Sequence, residues 1–342
     1  QGKVEGAANA VNPQGRYGSD IMSRIEYAVH QDQERLTSLI REKIGQLISN
    51  LIQDTGIPIK KIVMVGNTVM HHLFCGIDVT PLASYPYKTE EKDLKRMSVE
   101  ELGWHVTGHP EIFFIPPVES FVGSDILAGL LAARIHEKQE ISCLIDLGTN
   151  GEIAIGNREG IICASAAAGP AFEGNNISMG MTATTGALSS IDINSNPLQY
   201  HIIGNNNPRG ICGSGLIDAI AWILKSGQMD MWGGLINEHQ TVKIIQGIEL
   251  TQQDIREVQL AKGAISAGLE ILTQKAGIEL NNVKNIFLAG GFGNYVNLNN
   301  DQKIGLLEFD EQKITKLGNS VIIKKKMMLY LSTGEIQPIL EK

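Results

Sequence analysis

Four cysteines in 342 residues are too few and too scattered for a disulfide framework. Cys75, Cys143, Cys163 and Cys212 form no CxxC pair, follow no ferredoxin-like spacing and have no histidine at zinc-ligand intervals, so they read as buried, reduced thiols. Positive charge is also scarce. Lys and Arg number 29 against 37 Asp and Glu, a net charge of −8, which leaves no broad basic face for nucleic acid or an anionic bilayer. The run Lys324-Lys325-Lys326 is too short to reverse that. No apolar stretch approaches the roughly 18 residues of a membrane span and no signal peptide precedes the first elements, so the expected setting is cytoplasmic. The first residue is Gln1 rather than Met, as in a piece of a longer chain, although a processed terminus would look the same.

What is present is the composition of an ordered globular protein: 43% hydrophobic and 19% charged residues, enough for two lobes with a core each. Residues 4–11 read as a strand ended by Asn12-Pro13-Gln14-Gly15, and Ser19 as the cap of a helix with Ile21, Met22, Ile25, Ala28 and Val29 on one face. A long amphipathic helix carries Leu36, Leu39, Ile40, Ile44, Leu47, Ile48, Leu51 and Ile52, and stops at Gly56. The buried-strand run Ile62-Val63-Met64-Val65 then turns through Gly66-Asn67-Thr68 into another helix. Residues 76–110 are expected to be a surface excursion with a short helix begun by a Ser98–Glu101 capping box. A strand at 112–115 and a helix at 126–136 close the first lobe, 1–139.

The second lobe, 140–342, opens as a β-meander with a glycine-rich first turn. Strands near 187–193 and 199–203, a helix at 215–224, a long helix at 254–275 capped by Thr251, and a strand at 285–288 follow. The chain is therefore expected to be α/β and two-lobed, each lobe a sheet covered by helices.

Three glycine-rich segments carry candidate chemistry. In Asp146-Leu147-Gly148-Thr149-Asn150-Gly151-Glu152, between two hairpin strands, Asp146 is placed to hold a magnesium ion through water; Gly148 and Gly151 admit backbone amides to anionic oxygens, and Thr149 adds a hydroxyl. An ordinary hairpin turn has the same residue types. In Ala289-Gly290-Gly291-Phe292-Gly293, Gly290 and Gly291 let a flat ring lie on the backbone beside Phe292, although tight strand-to-helix packing would also use these glycines. In Gly210-Ile211-Cys212-Gly213-Ser214-Gly215, the start of a helix at Gly213, Ser214 and Gly215 suits a phosphate, or Ser214 is a plain cap. Gly-Ser-Asp-Ile occurs at residues 18–21 and 123–126; Asp20 reads as a helix-start residue, whereas Asp125, close to the lobe boundary, is the better candidate for a base or water-orienting group. His71 and His72 lack acidic or cysteine partners at ligand spacing and read as structural or exposed.

The order of these parts resembles the actin, sugar-kinase and heat-shock-chaperone ATPase superfamily, with a ribonuclease H-like fold. In it the residues from Asp146 to Glu152 (with Asn150) look like the second phosphate loop, Gly123 to Arg134 like the connecting helix, and Ala289 to Gly293 like the adenosine turn. Within it the chain is similar to the reductive activators of corrinoid proteins. That likeness rests on Asn12-Pro13-Gln14, on Tyr17-Gly18-Ser19-Asp20-Ile21-Met22-Ser23-Arg24-Ile25, and on Val65-Gly66-Asn67-Thr68-Val69-Met70-His71-His72-Leu73. It continues through the phosphate loop, Ala168-Gly169-Pro170-Ala171-Phe172-Glu173-Gly174, Gly210 to Gly215 and Ala289 to Tyr295.

The resemblance implies ATP/ADP and Mg2+ as cofactors, an iron–sulfur cluster only in a separate N-terminal domain, and return of a Co(II) corrinoid to Co(I). The implied partner is a corrinoid protein, a methyltransferase component or a corrinoid iron–sulfur protein, in anaerobic one-carbon metabolism such as O-demethylase systems. A homodimer is compatible. Loops at 168–174 and 175–180 are expected to face the partner, with Ser178 a candidate neighbour of the cobalt. The family's first phosphate loop, of the type DIGTTT, and its ferredoxin-like domain are not among these residues, so the first lobe reads as truncated at its N-terminus. Other actin-fold phosphotransferases, dehydratase activators and a non-catalytic corrinoid-protein binding module are the alternatives.

Overall fold

A computed structural model describes residues 4–18, 20–89, 91–148 and 150–318. They fall into two compact units, one within Gln1–Leu131 and one within Ala132–Ser320.

The first unit starts without the expected strand. Residues 4–11 are irregular, with Val4 70% and Val11 89% exposed and no neighbouring strand to take their amides. Helix α1 (Ile21–Tyr27) is capped by Asp20, and Ser19 lies outside the described residues. Helix α2 (Gln33–Thr55) follows the expected periodicity and ends at Gly56, whose φ of 65° is the left-handed conformation that favours glycine. Midway along it, Gly45 lies under Trp104, where a Cβ would come 2.6 Å from the indole, and Trp104 Nε1 donates to the Arg41 carbonyl at 2.8 Å.

Strand β1 (Lys61–Met64) leads into α3 (Thr68–Cys75), capped by Asn67. Strands β2 (Lys95–Met97) and β3 (Glu111–Phe114) complete a sheet of order β1-β3-β2, in which β1 and β3 are parallel and β2 is antiparallel. The 76–110 segment is thus more than a surface excursion. Leu82, Val99, Leu102, Trp104 and Val106 from it are buried. Both Ser98–Glu101 capping-box bonds form, at 2.7 and 3.2 Å, but the residues that follow make turns, because Gly103 at φ 67° breaks the chain before a helix can grow. His71 and His72 are fully buried; His72 bonds the Thr68 carbonyl and Thr89, as a structural histidine should. Helix α4 (Ser124–Ala133) ends at Arg134.

The second unit is built on β4 (Ser142–Leu147), β5 (Gly151–Asn157) and β6 (Gly160–Ala166), the expected antiparallel meander. A second sheet holds β7 (Ala187–Asp192), β8 (Gln199–Ile202) and β9 (Gly210–Ile211) in the order β8-β7-β9. Helix α5 (Gly213–Lys225) packs on β7 so closely that a Cβ on Gly215 would lie 2.2 Å from the Leu188 carbonyl oxygen. A hairpin of β10 (Thr241–Ile245) and β11 (Ile248–Thr251) precedes α6 (Gln252–Ala276), whose cap is the expected Thr251 in a full capping box with Asp254.

Strand β12 (Asn285–Ala289), α7 (Gly290–Tyr295), α8 (Leu298–Ile304) and β13 (Ile314–Gly318) end the described chain. The meander extends to the order β13-β12-β4-β5-β6, with β12 parallel to both β4 and β13. One continuous apolar core, from Cys143 to Phe309, binds these layers. None of the four cysteines is in a disulfide. Cys143 and Cys212 are buried, but Cys75 and Cys163 only half-buried, a correction to the expectation for these two.

Candidate functional site

Two of the three glycine-rich segments leave the same end of the same sheet. Because β12 runs parallel to β4 with Ala289 opposite Asp146, the adenosine-turn candidate begins beside the phosphate-loop candidate. Gly290 follows at φ 83°, and a Cβ there would sit 2.4 Å from Asp146 Oδ1 and 2.8 Å from the Leu147 carbonyl oxygen. Glycine is needed twice over, for its dihedral and for its lack of bulk. Across the hairpin Asp146 faces Glu152, which is buried, and the Gly148 amide donates to the Asn150 carbonyl at 3.3 Å. Thr149 lies outside the described residues. Gly151 serves packing: a Cβ there would press on Ile265 of α6 at 3.1 Å.

The third segment joins the second through aromatic packing. Phe292 stacks on Phe172 with ring centroids 4.7 Å apart and planes 13° from parallel. Gly213 fits against both, since a Cβ would come 2.0 Å from the Phe172 carbonyl oxygen and 2.9 Å from the Phe292 ring. A cavity of about 650 Å3 opens here, lined among others by Phe172, Glu173, Gly213, Ser214, Gly291 and Phe292. That is the size and apolar character of a small-molecule site. Glu173 links it to the phosphate loop, its Oε1 lying 3.8 Å from where a Gly148 Cβ would be.

The N-terminus of α5 meets this cavity. Cys212, at its N-cap, makes no side-chain cap. Ser214 is not the cap either: its hydroxyl donates to the Ser189 carbonyl at 2.8 Å. Gly215 is spent on packing against β7 and does not line the cavity.

Two candidates lie elsewhere. The Ser178 amide and hydroxyl donate to the Asp254 carboxylate at 2.7 and 2.6 Å, which ties the 175–180 loop to the capping box of α6 and uses the hydroxyl proton for structure. The partner-facing reading of 168–174 also changes, because Phe172 and Glu173 turn toward the cavity. Asp125 belongs to the first unit. Its Oδ1 accepts from the Ile126 amide at 3.0 Å, and burial pushes its pKa up, opposed by that hydrogen bond. Among the described residues no group of three or more His, Cys, Asp or Glu is placed to hold a metal ion, and no helix is long and apolar enough to cross a membrane.

Sequence reasoning missed Phe172, Glu173, Ser189, His201 and Tyr295 as cavity residues. Phe172, Glu173 and Tyr295 had a signal, since they belong to segments that carried the resemblance. The others come together through β7 and β8, which no local pattern brings into register.

Residues 1–138 match the family described as the RACo middle region, and residues 140–339 the one described as the C-terminal domain of RACo, the ASKHA domain. The chain is 33% identical over 341 residues to the corrinoid activation enzyme RamQ of Eubacterium limosum, covering 90% of this chain and 57% of that protein. It is 27% identical over 350 residues to the [Co(II) methylated amine-specific corrinoid protein] reductase of Methanosarcina barkeri, covering 92% and 64%. Among solved structures, a reductive activator for corrinoid, iron–sulfur protein superposes with a TM-score of 0.84 at 31% identity, over 97% of this chain and 57% of that one. The chain thus spans a little over half the length of these relatives.

Proposed function

This chain belongs to the RACo family and carries its actin-like, nucleotide-binding ASKHA domain, and on that premise we propose that it is the nucleotide- and partner-binding core of an ATP-dependent activator that returns a corrinoid protein from Co(II) to Co(I). The observation that carries the nucleotide part is the convergence of Phe172, Glu173, Gly213, Gly291 and Phe292 around one cavity, with Gly290, the neighbour of Gly291, abutting Asp146. In this reading the nucleotide's phosphates lie by Gly148 and Asn150, and its sugar on the Gly290–Gly291 backbone beside the aromatic pair. Magnesium held mainly by phosphate and water needs few protein ligands, which suits Asp146 and Glu152 in a unit whose described residues hold no three-ligand cluster. Residues 140–342 would then be the nucleotide lobe, and Asp125 in 1–139 the candidate base. The iron–sulfur cluster is assigned outside these residues.

The chemical task is an uphill electron transfer to cobalt. A gap of about 300 mV would require about 7 kcal/mol for one electron. A nucleotide supplies this only if its bound states differ in affinity for the partner's cofactor. The proposed partner is a corrinoid protein of the methyltransferase or corrinoid iron–sulfur type; one relative is named for a methylated amine-specific corrinoid protein and a solved structure for a corrinoid, iron–sulfur protein.

Isothermal titration with magnesium ADP and a non-hydrolysable ATP analogue, beside Asp146→Ala, tests this. Binding that is lost in the variant supports the reading. A folded chain that binds neither nucleotide overturns it and leaves a corrinoid-protein binding module.

A further inference from the structure

We propose that His201, held in place by Ser189, is the residue that recognises the nucleotide base. This deepens the nucleotide reading and rests on it.

The contacts order the cavity from one end to the other. At one end Glu173 approaches Gly148, and Gly290 abuts Asp146. In the middle Gly213 is wedged against Phe172 and Phe292. Next to Gly213, the Ser214 hydroxyl donates to the Ser189 carbonyl at 2.8 Å, and the Ser189 hydroxyl in turn meets His201 Nδ1 at 2.9 Å. A nucleotide with its phosphates at the Asp146 end and its sugar on the glycine turn therefore points its base toward Ser189 and His201. Both line the cavity, with Ile203 and Met181 supplying apolar surface on that side.

His201 is the one basic side chain among the described residues lining the cavity. The Ser189 hydroxyl also lies 3.3 Å from the His201 carbonyl oxygen, so it grips the residue at ring and main chain together. Because Nδ1 is engaged by Ser189, Nε2 is the ring nitrogen left for a ligand, as donor or acceptor according to the tautomer. A donor or acceptor fixed in this way suits the hydrogen-bonding edge of a purine. It would distinguish bases far more than phosphates, since a site built to pair with one edge penalises an edge that mismatches.

The test is the affinity for ATP and for GTP, measured by titration calorimetry on the wild-type chain, His201→Ala, His201→Gln and Ser189→Ala, with circular dichroism to verify folding. His201→Ala is expected to weaken ATP about tenfold, the equivalent of about 1.4 kcal/mol, while changing GTP by less than about threefold, so that the ATP preference collapses. His201→Gln should restore part of the preference, and Ser189→Ala should narrow it by about threefold. Equal weakening of ATP and GTP would mean a phosphate or shape contact and overturns the proposal, as does unchanged ATP affinity. If wild-type binding vanishes in Asp146→Ala yet is unmoved in His201→Ala, only this inference falls. If the wild-type chain binds no nucleotide, the underlying reading falls and takes this one with it.

Discussion

The tetrapeptide Gly-Ser-Asp-Ile starts two helices of the first unit, and its two copies serve different ends. At α1, Asp20 is a cap: its carboxylate accepts from the Ser23 amide at 2.9 Å, while the Ser23 hydroxyl accepts from the Asp20 amide at 3.1 Å. At α4 the helix already includes Ser124, whose amide donates to the Gly66 carbonyl at 3.0 Å, and Asp125 is drawn inside the first turn. There burial pushes its carboxyl pKa up. The difference lies in what each copy packs against. Residue 123 touches the turn between β1 and α3, with room for no more than a hydrogen on Cα, whereas the atoms nearest to a Cβ on residue 18 belong to the helix it precedes, at Ser23 and Arg24. Identical local signals thus give a routine cap in one place and a titratable, half-buried acid in the other.

The strongest way to break this comparison is to add a methyl group to each glycine. In Gly123→Ala the new Cβ would lie 2.3 Å from both Asn67 Cα and the Gly66 oxygen, main-chain atoms of a distant turn, and the first unit should lose about 3 kcal/mol. Gly18→Ala meets the Arg24 amide nitrogen at 2.6 Å, but within one short helix whose start can shift, so about 1 kcal/mol is expected. Denaturant melts of both variants would decide, and equal losses would dissolve the contrast.

Buried acids sharpen it next. In the second unit Asp301 is fully buried, and burial pushes its pKa up to about 7, with the Leu307 amide and Lys316 opposing only in part. A raised carboxyl pKa means that this residue's contribution to stability is fully present below the usual value of 3.8 and is lost as pH rises through about 7. Asp301→Asn should therefore gain about 2 kcal/mol at pH 8 and nothing at pH 4, read from melting temperatures across that range. Asp125→Asn should move stability with the same sign, more as pH rises; a variant as pH-dependent as the wild type would show that its burial has no energetic consequence. Asp20→Ala removes one cap and should cost about 1 kcal/mol, as little as Gly18→Ala. At Asp125 the matching Ala substitution removes no such cap.

Much of the fold was legible because it is locally encoded. The heptad-like spacing from Leu36 to Ile52 built α2, Gly56 stopped it, Thr251 and Asp254 began α6, and the β4–β5–β6 meander followed its turns. The same local reading failed where a partner was required. Residues 4–11 found no strand to pair with, β2 and the β10–β11 hairpin formed without being foreseen, and the Ser98–Glu101 box formed its bonds without a helix. The candidate site divides in the same way. Its glycines were visible one segment at a time, but the reasons for them were not: Gly290 is glycine because of Asp146, Gly213 because of Phe172 and Phe292, and Gly215 because of Leu188.

By itself, then, the sequence determined α2, α6, the β4–β5–β6 meander, the net negative charge and the three glycine-rich segments, since periodicity, caps and turn chemistry act over a few residues. Tertiary structure alone decided that Phe172 stacks on Phe292, that Ser189 grips His201, that Ser178 is bound to Asp254 and that one Gly-Ser-Asp-Ile copy is buried. Each of these depends on strands and helices far apart in the chain being packed to within a few ångströms, and no local pattern carries that distance.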